Sequence, residues 1–324
     1  MTATTFATLE APPAATDSRL VRVLPPLAAI AYPGLIWCGP AIGPIFLVIA
    51  MVVPFLGLLV AHRTGNTLAY PRSRGIALAV VGTPPLYSFL GGLLDFQHTV
   101  PFQGLHVWMV LWAGLAWMAF SERPGKPRTA ARSERLAMAH GISAILIASF
   151  AAFHLANHLG GLWGGARHIA IMTALRHVYR NPLVEVVLVG SVGFQLLSGL
   201  RLLQGKTPRP GEWIDTLQAG SAAYLTLFFL SHLSAVFRAR YLRNVDTNWV
   251  WLTADSLVRD PWSARLAPYY FLAVIALGIH GAAGLRKVMV IHGRSEALGN
   301  AMFYGVTAGA AVLSGLIMTA LIRG

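Results

Sequence analysis

Carboxylates are scarce in this chain. Only 12 of 324 residues are Asp or Glu, most of them between apolar runs. That argues against a cation transporter built on a buried carboxylate relay. The single cysteine, Cys38, excludes a disulfide framework and a thiolate-ligated iron–sulfur cluster within the chain. Charge of either sign is thin at 11%, where a soluble domain carries about 25%. The GxGxxG dinucleotide fingerprint, the GxxxxGK[ST] phosphate loop, the HExxH zinc motif and the GxSxG nucleophile elbow are all missing. Nor is a cleavable leader expected, because residues 1–20 are polar and contain Pro12 and Pro13. That stretch is expected to be a disordered tail with no part in a reaction.

What is present is apolar length. Fully 56% of the residues are hydrophobic and the mean hydropathy is +0.60. Apolar runs recur at 21–40, 43–61, 76–94, 104–120, 140–160, 183–203, 218–237, 266–285 and 299–322. A bilayer helix needs about 20 such residues, so the pattern predicts an all-α polytopic membrane protein of nine helices, the first and fourth being marginal. A net charge of +13 invites a nucleic-acid reading, yet most Lys and Arg sit in short loops between the runs, which argues against one. Their bias predicts a cytoplasmic N-terminus in a bacterial inner membrane. Trp108, Trp112, Trp117, Trp213, Trp249, Trp251 and Trp262 are expected in the aromatic belts.

The basic loop SERPGKPRTAARSER divides the chain. The expected organisation is a four-helix membrane region over 21–120, a basic cytoplasmic linker over 121–136, a four-helix bundle over 137–290 and a last transmembrane helix over 291–324. Within the first region TPPLYSFLGG (83–92) signals a broken helix, a feature that favours a small-molecule transporter.

Beyond the linker the sequence repeats. FHLANHL (153–159) and SHLSAVF (231–237) each end an apolar run, and QLLSGLR (195–201) and HGAAGLR (280–286) each end the next. The unit is a helical hairpin of roughly 80 residues, present twice. Intramembrane histidine is a functional-site signal by default. The expected depths put His154 and His232 at one level, with Gln195 and His280 at the other. A haem held between helices needs an axial ligand from each at one depth, with small residues nearby, here Gly199 and Gly284. Arg176, Arg180, Arg201 or Arg286 would pair with propionates. His158, one turn past His154, either faces the interface or meets a propionate, and its i,i+4 spacing also suits a divalent metal. The bland alternative for each intramembrane histidine is a hydrogen bond across a helix pair. Glu185, in the first turn of its helix, is either a proton acceptor for quinol oxidation or an acid favoured by the helix dipole. Tyr179 and Asn181 are weaker candidates for quinone contact. His62, His98, His106, His168, His177 and His292 are expected to be solvated, and the loop carrying His168 to form an interfacial helix.

Four segments carry a resemblance: HGISAILIASFAAFHLANH (140–158), NPLVEVVLVGSVGFQLLSGL (181–200), LTLFFLSHL (225–233) and DPWSARLAPYYFLAVIALGIHGAAGL (260–285). Together they resemble the cytochrome b membrane subunit of the di-haem succinate dehydrogenases and fumarate reductases. In that family each of four helices gives one histidine, the first pairing with the third and the second with the fourth. The resemblance implies haem b between His154 and His232, and His280 as one ligand of a second haem. Gln195 stands where that haem's other ligand would be, and His140 is the substitute. It also implies quinone as substrate, and flavoprotein and iron–sulfur partners docking on the loops 121–135 and 201–210. The competing expectation is a haem-free anchor or transporter descended from the same bundle.

Overall fold

A computed structural model describes residues 18–94, 103–125, 133–204, 211–254 and 257–324. The expected tail up to residue 17, His98, the linker residues 126–132 and the loop 205–210 lie outside the described residues. Every regular element among the described residues is helical. They are α1 (Arg19–Ile42), α2 (Ile45–Thr67), α3 (Pro71–Val81), α4 (Thr83–Leu93), α5 (Gln103–Phe120), α6 (Glu134–Gly160), α7 (Gly165–Tyr179), α8 (Pro182–Gln204), α9 (Trp213–Phe237), α10 (Trp249–Thr253), α11 (Leu266–Ile291) and α12 (Glu296–Arg323). Among the described residues seven helices are long and apolar enough to cross a membrane, or eight if α3 and α4 count as one span. The nine expected runs therefore correspond to seven long helices, one bent pair and one shorter apolar helix, Leu105–Phe120.

Local chemistry explains the ends and the break. Ser18, Ser133 and Ser295 each accept a hydrogen bond from the backbone N–H three residues on, capping α1, α6 and α12. Between α3 and α4 the axis turns by 70° at Gly82. Pro84 and Pro85 supply no N–H to continue α3, and the Thr83 hydroxyl donates to the Val80 carbonyl at 2.5 Å.

Packing is uneven. The largest buried cluster draws on α1, α2, α3, α4, α5, α10, α11 and α12, so the region 21–120 and the C-terminal helices share one core. Lipid is as apolar as leucine, so close backbone approach and hydrogen bonds must hold such helices together. Gly278 brings α11 against α12, where a Cβ would lie 2.3 Å from that of Ala310. Gly57 does the same for α2 against the Ala77 carbonyl of α3. Arg22, almost fully buried, donates to the Ala119 and Glu122 carbonyls and lies over the Tyr70 ring. The Glu122 carboxylate accepts from the backbone N–H groups of Arg72 and Ser73 at 2.8 and 2.7 Å. An acid at the start of α3 is also favoured by the helix dipole. By contrast, α6 and α8 bury 6% and 11% of their most apolar windows, where α1 and α11 bury 44%.

Three of the expected belt tryptophans sit elsewhere. Trp108 and Trp112 are completely buried and Trp249 nearly so. The Trp108 indole donates to the Ala29 carbonyl at 2.8 Å, which satisfies its polar edge inside the core.

Candidate functional site

The four helices α6, α8, α9 and α11 carry two histidine levels. His140 and His154 both lie on α6, 14 residues apart, which is about 21 Å along the axis and close to the same face. His154 faces His232 of α9 with ring centres 6.2 Å apart and planes at 70°. His140 faces His280 of α11 with ring centres 6.3 Å apart and planes at 77°. Thus the ring that approaches His280 belongs to His140, on the first helix of the four.

Gln195 has a different occupation. Its amide donates to the His140 carbonyl at 2.7 Å and to the Ser143 hydroxyl at 2.6 Å, tying α8 to α6. One turn on, Ser198 Oγ lies 2.7 Å from His140 Nδ1 and donates to the Phe194 carbonyl. His140 Nδ1 is therefore held, which leaves Nε2. His280 Nδ1 likewise meets the Ser221 hydroxyl, at 3.5 Å. Gly199 lies against the His140 ring, 3.4 Å from a notional Cβ to Cε1, and the space around Gly284 is open.

The other level is richer in imidazole. His154 stacks on Phe150 and His232 on Phe228, each one turn away along its own helix. His232 makes no hydrogen bond among the described residues, although Tyr270 approaches its ring. His154 Nε2 meets His158 Nε2 at 3.3 Å, and His158 Nδ1 meets His168 Nε2 at 3.3 Å. The Asn157 amide also reaches His168 Nε2, at 3.1 Å. His168, expected to be solvated, is only 3% exposed. It sits on α7 beneath Trp249, ring centres 4.7 Å apart. Gly161 and Gly165 make room for that indole, since a Cβ on either would come within 2.4 Å of it. Burial, reinforced by His154 and Arg176, lowers the His168 imidazole to about 4. Sequence reasoning missed this residue because its loop reads as polar. The Gly160-Gly161 and Gly164-Gly165 pairs were the available signal of close packing.

Several candidates are committed elsewhere. Arg176 forms an ion pair with Asp246 at 2.8 Å and donates to the Thr247 carbonyl, and Arg180 reaches the Thr247 hydroxyl. Burial and the neighbouring Arg176 and Arg240 push the Arg180 guanidinium below its ordinary value. Arg286 donates to Asn300 of α12. The Glu185 carboxylate is taken up by Arg240 at 2.7 Å, with the Tyr241 hydroxyl at 3.4 Å. His62 stacks on Trp213 with ring centres 3.7 Å apart. His177 and His292 are exposed as expected.

Beside His154, a cavity of about 370 Å³ opens between α6, α7 and α8. Its wall is largely apolar, with Phe150, Met172 and Leu188 alongside His154, Asn157 and Tyr179. Four lining residues, Leu146, Ser149, Phe153 and Val178, are exposed on the outer surface.

The chemistry open to these rings is coordination in pairs. Among the described residues no group of three or more His, Cys, Asp or Glu side chains is arranged to hold a metal ion. An imidazole nitrogen binds a first-row metal at about 2.0 Å and lies about 1.1 Å from its ring centre. Two rings on opposite sides of one ion thus have centres about 6.2 Å apart. Both observed separations meet that spacing. No protein family, curated protein or solved structure matches this chain.

Proposed function

We propose that the chain is a membrane electron carrier in which α6, α8, α9 and α11 hold haem b at two levels and exchange electrons with a quinone. The observation that carries this reading is the ring separation, 6.2 Å for His154 and His232 and 6.3 Å for His140 and His280. Edge-to-face ring pairs commonly lie at such distances, so what supports the reading is that histidine meets histidine at both levels. Haem b, when bound, supplies reversible one-electron chemistry at each level. The residues around it do the positioning. Ser198 fixes the His140 ring through Nδ1, the second-shell contact that orients metal-bound histidine. Gln195 acts at one remove, holding α8 to α6 so that Ser198 stays in reach. The α6 helix has little close backbone contact with α9 or α11, so their side chains, the paired histidines among them, bridge the distance.

The cavity beside His154 suits the quinone. Its volume falls within the roughly 300–1,000 Å³ of small-molecule sites, and its apolar wall suits a ring with an isoprenoid tail. Entry past Phe153 and Val178 would be from the bilayer. Tyr179 and Asn157 are the polar groups that would orient the ring. Glu185, already bound by Arg240, is better suited to bracing α8 than to accepting a proton. The same reading places the chain in a bacterial inner membrane with a cytoplasmic N-terminus. Its flavoprotein and iron–sulfur partners would dock on the loops 121–135 and 201–210.

A reduced-minus-oxidised spectrum of the purified protein tests the proposal. A sharp α-band that diminishes in both His232→Ala and His280→Ala is the expected result. A flat difference spectrum overturns the reading and favours a haem-free transporter or anchor, for which the 70° break between α3 and α4 is the supporting feature.

A further inference from the structure

Where α7 meets the start of α8 and the end of α9, three guanidinium groups share two carboxylates. Arg176 is paired with Asp246 at 2.8 Å, and Arg240 with Glu185 at 2.7 Å. Arg180 is left over. It stands 4.0 Å from the same Asp246 oxygen that Arg176 already holds. Its hydrogen bond from Nη2 to the Thr247 hydroxyl is long, at 3.4 Å. The Nε of Arg180 is buried without a hydrogen-bond partner, as is that of Arg176. A guanidinium is a planar fork of N–H donors with no acceptor, so most of the capacity of Arg180 goes unused. The groups acting on it are Arg176, Arg240, Tyr179 and Asp246. Two like charges thus face it across one shared acid.

The sequence around the cluster deepens the imbalance. Residues 161–184 contain Arg167, Arg176 and Arg180 and no acid, and 238–254 contain Arg238, Arg240 and Arg243 against Asp246 alone. The height of the cluster says which anion meets this surplus. Arg180 lies just before Pro182, where the apolar span Pro182–Gln204 begins, and Arg240 lies near the end of the span Trp213–Leu242. The Arg240–Glu185 pair ties those two ends together, so the cluster sits where apolar helix gives way to polar loop, the height of lipid headgroups. Tyr241, exposed and beside the Arg240 guanidinium, is the amphipathic side chain favoured at that height. Below it Leu183 and Val186 are exposed on α8. Val184 and Leu188 line the cavity beside His154 instead, so an acyl chain on Leu183 and Val186 leaves that cavity free.

We propose that Arg180, flanked by Arg176 and Arg240, binds the phosphate of an anionic phospholipid whose acyl chain lies against Leu183 and Val186 of α8. This goes beyond the electron-carrier reading and does not depend on it. Phosphate suits the site because an arginine fork engages two of its oxygens at once. The headgroup must carry net negative charge. A zwitterionic one brings its own ammonium to a site already in positive surplus, whereas an anionic one cancels that surplus. Basic clusters at the ends of membrane helices attract anionic lipid for this reason. Bound there, the lipid joins α7 to the outer end of α8, the helix pair that the protein's own packing holds least.

Lipid binding by the purified full-length protein tests this. In detergent micelles, native mass spectrometry should count more adducts with phosphatidylglycerol than with phosphatidylcholine at equal concentration. Arg180→Gln should weaken the phosphatidylglycerol adduct about fivefold, the worth of one arginine beside an anionic membrane surface. Arg180→Lys, which keeps the charge but loses the fork, should weaken it less. Arg294→Gln, which removes an exposed arginine beyond the end of α11, should change nothing. A ligand that binds the folded state stabilises it, so phosphatidylglycerol should raise the unfolding temperature of the unmodified chain more than that of Arg180→Gln. Unfolding without lipid shows that each variant has folded, and Arg180→Lys carries the comparison if Arg180→Gln has not. Equal adducts of the two lipids, or an Arg294→Gln loss as large as that of Arg180→Gln, overturns the proposal. Inorganic phosphate that raises the unfolding temperature as much as phosphatidylglycerol does would assign the cluster to a soluble anion and overturn the lipid. No outcome here involves haem, so failure leaves the electron-carrier reading standing.

Discussion

The two histidine levels hold their rings at the same separation but by different means. At the His140 level each ring has one nitrogen on a serine, and a glutamine braces the helix pair from outside. At the His154 level His232 meets the Phe228 and Tyr270 rings, and His154 is joined to His158, which meets His168 in turn. Hydroxyl partners fix orientation and leave no charge to move. The first level is thus bordered by hydroxyls and the second by further imidazoles.

The comparison can be broken most directly by removing one ring from each level. If the proposed two-haem reading holds, His232→Ala and His280→Ala should each lose about half the bound haem. Loss of all haem in either variant would show that the levels are not independent. A smaller effect is expected from Ser198→Ala, which removes the Nδ1 partner of His140. Haem affinity at that level should drop by roughly 10–100-fold, the usual cost of deleting a second-shell contact. Spectra that separate the two sites would show the His154 level untouched.

Acid should weaken the fold through His168. The His168 imidazole is lowered in the folded chain to about 4, whereas an unfolded histidine titrates near about 6.5. In that window the unfolded state binds the extra proton, so stability falls as pH falls from about 6.5 toward about 4. Thermal unfolding of the protein at several pH values should show this decline, and His168→Gln should flatten it. The smallest effect belongs to Gln195→Leu. It removes two bonds worth about 0.6 kcal/mol each between membrane helices and should leave the spectrum nearly unchanged. A lost α-band in that variant would mean that Gln195 is a ligand after all.

Much of this was legible in the chain before any coordinates. The apolar runs located the long helices, and the twin segments FHLANHL and SHLSAVF brought His154 and His232 forward as a pair. Depth along a helix is what such patterns encode. Which helix lies across from which is not encoded, which is why both Gln195 and His140 stood as partners for His280. Gln195 and His280 occupy related positions in the repeat, yet the ring opposite His280 is His140, which the fourteen-residue spacing on α6 brings to the same face. Trp108 and Trp112 read as interfacial because tryptophan is amphipathic, but the Ala29 carbonyl satisfies one indole inside the core. His168 and the Arg176–Asp246 pair lie where short-range polarity mimics a solvated loop. Only the glycines beneath Trp249 hinted otherwise.

The light burial of α6 and α8 bears on how the molecule matures. A hairpin that shares so little area with its neighbours gains much of its anchoring from whatever fills the gap beside it, and a guest that binds only the closed form adds its own binding free energy to closure. On the electron-carrier proposal, protease sensitivity across 133–204 should therefore fall as haem is loaded.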